Sequence, residues 1–142
     1  RWLFLPGRSR GLYHLVHVDD LTEVLLLAAT HPAAEGEVFI CGNPECMTLE
    51  QIARVVAGEL GTRFNVVRLP AAPLFLAADA CEWICRGLGL EPPLHRRRLA
   101  FFTKDRSFDT RKLRERLGYT MRHSNEQGLI ETTRWYREQG WL

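Results

Sequence analysis

The chain has 142 residues, 46% hydrophobic and 25% charged, which is enough apolar material for a core and rules out a disordered chain. A formal net charge of +2 is too weak to point to nucleic acid or an anionic membrane as partner, and no apolar run approaches the length of a membrane span. Nothing resembles a secretory signal, so the expectation is a cytoplasmic protein.

Residues 12–18 (LYHLVHV) are rich in aromatic and branched side chains and read as a strand. They run into Asp19-Asp20-Leu21-Thr22-Glu23, where Asp20 followed by Glu23 matches a capping box. Leu21, Val24, Leu25 and Ala28 then keep helical spacing up to Pro32. Residues 38–41 (VFIC) read as a short buried strand, and Gly42-Asn43-Pro44 turns the chain. Thr48 with Gln51 opens a second helix whose inner face is Leu49, Ile52, Ala53, Val56, Ala57 and Leu60, with Gly61 as its left-handed stop. Residues 64–69 form the next strand, closed by Pro70.

Pro73 suits the first turn of a third helix, with Leu74, Ala77, Ala78, Cys81, Cys85 and Leu88 as its stripe. Gly87, Gly89, Pro92 and Pro93 break that helix, and residues 95–102 make a further short one. Ser107-Phe108 reads as a brief extended piece. Asp109 or Thr110 caps a short helix carrying Leu113 and Leu117, which Gly118 stops. Ser124 and Gln127 open the last helix, with Leu129, Ile130, Thr133 and Tyr136 facing inward and Trp141 as a terminal anchor. The alternation of strand and helix implies α/β organisation, helix-rich with a few short strands.

The order of these pieces resembles the C-terminal portion of the extended short-chain dehydrogenases/reductases, the NAD-dependent epimerase/dehydratase group. His17-Val18-Asp19-Asp20 is similar to that family's segment at a strand-to-helix junction, preceded here by the glycine-containing loop at 6–11. Phe39-Ile40-Cys41-Gly42-Asn43, Thr48-Leu49 with Ile52, Leu60-Gly61 and Leu69-Pro70 follow in the family's order. Asp109 with Lys112, Leu117-Gly118-Tyr119, and Gly128-Leu129 with Thr132, Trp135 and Tyr136 complete it. The resemblance implies a single domain over 1–142, the substrate-binding lobe of an extended Rossmann-type reductase, with the dinucleotide-binding domain lying N-terminal to it and absent here. It also implies NAD or NADP as cofactor of the parent protein and a small alcohol or carbonyl substrate, sugar-like, steroid-like or other. Sugar-nucleotide epimerases of the family place an Arg four residues before the His of this strand. Tyr13 stands there, which leans toward the reductase-like and hydroxysteroid-dehydrogenase-like branches. Met121 replaces a frequent Pro after Leu-Gly-Tyr, a loop detail.

The chemistry of that family needs a Gly-rich turn that brings backbone to the pyrophosphate, and a Tyr-x-x-x-Lys pair for proton transfer. The eleven glycines contain no G-x-x-G-x-x-G, and the two lysines, Lys104 and Lys112, have Ala100 and Phe108 four residues before them. The chain itself is therefore expected to hold no catalytic and no cofactor-binding residue and to be inactive alone. The alternative is a non-catalytic binding or regulatory module derived from the same lobe.

Substrate-contact candidates are Arg8, Ser9 and Arg10 in the loop that lines the family's cleft, Tyr13 beside it, and Arg97 of the Arg96-Arg97-Arg98 run; a solvated turn and a solvated helix face are the plainer alternatives. His17 reads as structural, with Asp20 capping the following helix. The spacings of Cys41, Cys46, Cys81 and Cys85 match no common zinc knuckle, so no metal is expected and the thiols read as reduced and partly buried. Strands cut from a parallel sheet leave open edges and apolar faces, which implies a homodimer.

Overall fold

A computed structural model of the chain describes residues 1–7, 11–93, 97, 102 and 104–142. Its strands are β1 (Trp2–Pro6), β2 (Leu12–Tyr13), β3 (Met47–Thr48) and β4 (Asn65–Leu69). Its helices are α1 (Val18–Thr30), α2 (Leu49–Glu59), α3 (Ala71–Leu88), α4 (Arg111–Leu117) and α5 (Asn125–Glu138), with a 3-10 turn at Pro32–Ala34. The α/β, helix-rich organisation is the one expected. β1 and β4 pair in parallel, Trp2 opposite Asn65 and Pro6 opposite Leu69, while β2 and β3 pair antiparallel through Leu12 with Thr48 and Tyr13 with Met47.

The helix ends follow local chemistry. At α2 the Thr48 hydroxyl accepts from Gln51 N, and Gln51 Oε1 accepts from Thr48 N at 2.7 Å. Ser124 and Gln127 repeat the box at α5. Gly118 closes α4 at φ +66, a left-handed conformation that side chains with a Cβ rarely adopt. α2 packs on α5, and Glu59 bridges the pair through Arg134 at 2.9 Å and Arg137 at 3.6 Å. A second core gathers Val24 of α1 and Leu113 and Leu117 of α4, against which Phe39, Cys41, Tyr119 and Met121 pack.

Three expectations are corrected. The strand read over 12–18 stops at Tyr13, and 14–17 is extended chain without a ladder. Residues 38–41 form no strand: Phe39 and Cys41 cover the core while Val38 and Ile40 face outward, 80% and 44% exposed. The alternation is that of a strand, but a strand is defined by its neighbour, and this segment has none among the described residues. Beside the extended piece read at 107–108, Arg106 bridges Tyr13 in parallel. On α3, Ala78 is buried and Leu74, Cys81 and Cys85 are half-buried, but Ala77 and Leu88 are exposed. The short helix read over 95–102 falls mostly outside the described residues; Arg97 and Phe102 within it are helical.

Candidate functional site

The N-cap of α1 is His17, whose Nδ1 accepts from Asp19 N at 3.4 Å; it is not Asp20, as the capping-box pattern suggested. Asp20 instead lies inside the first turn and is 1% exposed. Its two oxygens take four donors from the segment between α4 and α5. Oδ1 accepts from the Tyr119 hydroxyl at 2.7 Å and from Arg122 N at 2.9 Å. Oδ2 accepts from His123 N at 3.1 Å and lies 2.9 Å from His123 Nδ1. Burial alone raises a carboxyl's pKa, but here these hydrogen bonds outweigh it and bring Asp20 down to about 2. Burial and the adjoining Asp20 carboxylate push the Tyr119 hydroxyl far above its ordinary value, so it stays a donor.

This anchor positions His123 against His17. The rings stack at 4.1 Å between centroids and 27° between planes. His17 Nε2 lies 3.5 Å from Glu131 Oε2 on α5. Gly128, one turn earlier on α5, makes the approach possible, since a Cβ there would stand 3.2 Å from His17 Cδ2. Beside the histidines opens a cavity of about 600 Å3, lined also by Asn43, Leu129, Thr132 and Trp135. Asn43 Nδ2 donates to His123 O, and Asn43 N to Leu15 O, tying the glycine turn to both walls. The arrangement can hold protons or ligate a cation.

Of the candidates read from the sequence, Tyr13 and Arg97 are not among the residues lining this cavity. Arg8, Ser9 and Arg10 lie outside the described residues. Tyr13 is half-buried on β2, with burial pushing its hydroxyl upward against the opposing pull of Arg106. Residues 104–106 run beside it so closely that a Cβ on Gly11 would meet Lys104 O at 3.0 Å, and Leu12 N donates to Asp105 Oδ1 at 3.2 Å. Arg97 is helical and exposed; the structure joins Tyr13 to Arg106 rather than to it. His14 Nδ1 accepts from Phe108 N at 3.0 Å, which ties the start of the extended 14–17 segment to the chain preceding α4. His123, Glu131 and the tie between Asp20 and Tyr119 escaped the reading of the sequence. The one local sign was the tyrosine of Leu117-Gly118-Tyr119, and nothing in the chain pairs it with a residue ninety-nine positions away.

No family model matches the chain. Over 138 residues it is 27% identical to the sterol-4-alpha-carboxylate 3-dehydrogenase erg26, decarboxylating, of Schizosaccharomyces pombe, covering 93% of this chain and 41% of that protein. Over 147 residues it is 25% identical to the short-chain dehydrogenase/reductase family 42E member 1 of Danio rerio, covering 96% and 37%. The crystal structure of gox2253 superposes with a TM-score of 0.74 at 28% identity, covering 98% of this chain and 40% of that one. Over nearly its whole length the chain is similar to these dehydrogenases/reductases, and it spans about two-fifths of their length. In His17-Val18-Asp19-Asp20 the first Asp is an exposed first-turn charge, and the second is the buried acceptor that ties α1 to the α4–α5 connection.

Proposed function

We propose that this chain is the substrate-side portion of an NAD(P)-dependent dehydrogenase, dehydratase or epimerase acting on a hydroxyl or carbonyl of a sugar-like, steroid-like or other small alcohol. Dinucleotide binding and proton transfer belong to an N-terminal domain outside these 142 residues, and the chain alone turns over nothing. The observation that carries this reading is the asymmetry of the match, which takes in nearly all of this chain and about two-fifths of each relative.

Two further features support it. The residues present contain neither the Gly-rich turn nor the Tyr-x-x-x-Lys pair, and no side chain replaces a nicotinamide in hydride transfer. The surface also carries exposed apolar groups: Val18, Leu25 and Leu26 on α1, and Val38 after the 3-10 turn, are each more than 60% exposed. A packed partner domain is the natural cover for such a face. Substrate contact is assigned to Arg8, Ser9, Arg10 and Tyr13, with Arg97 as a further cation. In the assembled protein the donors of the loop would orient the substrate, and the other domain would supply the hydride acceptor.

Calorimetric titration with NAD(H) and NADP(H) tests the division of labour. The expected outcome is no binding in the micromolar range; micromolar affinity would overturn the proposal. Reading the coding DNA upstream of Arg1 is a second check, with a Gly-rich turn and a Tyr-x-x-x-Lys pair expected in frame.

A further inference from the structure

We propose that His17, His123 and Glu131 form a binding site for one divalent transition-metal ion, with Zn2+ the best match to the donors. One ligand atom from each of the three lies within 4.8 Å of the others, at the wall of the open cavity. Two imidazoles and one carboxylate are a zinc ligand set that leaves the fourth position for water or a ligand. Ligand atoms about 2.0–2.2 Å from a tetrahedral ion stand about 3.3 Å apart. His17 Nε2 and Glu131 Oε2, at 3.5 Å, already meet that spacing.

The surroundings supply what a metal-bound histidine needs. Such a ring donates its other nitrogen to a carboxylate, which fixes the tautomer and raises the basicity of the ligating nitrogen. Asp20 does this for His123: with Nδ1 held at 2.9 Å, Nε2 is left as the lone-pair donor. Asp20 is itself held by Tyr119 and two backbone amides, so His123 hangs from a fixed point. Gly128 leaves room for the His17 ring, at the cost of placing glycine inside a helix.

One movement is required. The rings stack at 27°, and in-plane lone pairs on stacked rings do not converge on one ion. His17 is the ring that turns: its Nδ1 has the long 3.4 Å contact with Asp19 N and lies 3.7 Å from Asp19 Oδ2, so with Nε2 on the ion the Nδ1–H donates to that carboxylate in place of accepting from the amide, whereas His123 is anchored. Glu131, 52% exposed at its side chain, follows freely.

The test uses the 142-residue chain, stripped with a chelator and titrated with ZnCl2 and CoCl2 in equilibrium dialysis. The expected result is one ion per chain at micromolar affinity or tighter, a four-coordinate Co2+ absorption spectrum, and shifted imidazole 15N resonances of two histidines. Glu131→Gln, at an exposed position that does not threaten folding, is expected to weaken binding at least ~10-fold. Tyr119→Phe, acting through Asp20, is expected to weaken it by roughly 10-fold, the low end for an outer-shell partner. Replacing Cys81 and Cys85 by Ser is expected to leave binding unchanged. No saturable binding below ~100 µM free metal, binding indifferent to Glu131→Gln, or binding lost with the two cysteines would each overturn the proposal.

Discussion

Replacing Asp20 by Asn removes one negative charge and exchanges one acceptor oxygen for a donor, with almost no change in shape. The wild-type carboxylate accepts four hydrogen bonds, two at each oxygen. The amide oxygen of Asn can keep one pair; its NH2 then faces the donors of the other. Two bonds to a charged acceptor at about 1.5–3 kcal/mol each give an expected loss of about 3–6 kcal/mol. That is a large share of the ~5–15 kcal/mol by which a domain is stable. Urea unfolding followed by tryptophan fluorescence measures it. With a slope of about 1–3 kcal/mol per molar, the midpoint should fall by at least about 1 M. The wild type carries a pH signature as well. Asp20 is brought from 3.8 down to about 2, so the folded state favours its ionised form by about 2 kcal/mol. A depressed carboxyl contributes above the unfolded value and loses that contribution as pH falls through the folded one. This increment should therefore be complete above pH ~4, decline between about 4 and 2, and be missing from the variant's acid-unfolding curve. A midpoint at pH 7 within about 0.3 M of wild type, with an unchanged acid limb, would refute the reasoning.

Gly58 lies in α2 with open space where a Cβ would stand, so Gly58→Ala should stabilise by about 0.5–1 kcal/mol, read as a rise in the urea midpoint. Gly118→Ala should do the opposite, lowering the midpoint by about 1 kcal/mol, because open space does not relieve the strain of φ +66. Thr48→Ala removes the hydroxyl that accepts from Gln51 N, while the backbone half of the α2 capping box stays, and should cost about 1 kcal/mol in the same assay. The exposed apolar groups on α1 and at Val38 should drive self-association when no partner domain is supplied, giving dimers by light scattering; a clean monomer at high concentration would count against that surface as an interface.

Elements whose cause lies within a few residues were legible in the chain. The capping boxes at Thr48 and Ser124 and the stops at Gly61 and Gly118 stand where spacing put them, since a cap and its partner are three residues apart and a left-handed glycine needs no neighbour. The inner faces of α2 and α4 followed from the 3.6-residue period. Strands were harder. Residues 38–41 carry the alternation of a strand, yet pairing is a property of two segments, and this one has no partner among the described residues. Asp20 was misread for a related reason. Its pattern with Glu23 satisfies a local rule, but four donors arriving from 119–123 outbid the helix terminus for its oxygens.

The resemblance, the α/β character and the lack of a Gly-rich turn and a Tyr-x-x-x-Lys pair within these residues were thus written in the sequence, because motif order and the absence of a residue pattern are one-dimensional facts. Which groups meet was not. His17, His123 and Glu131 are brought together only when α1 and α5 converge on the anchor between Asp20 and Tyr119, and distance in space between residues a hundred positions apart is set by packing, not by the spacing of letters.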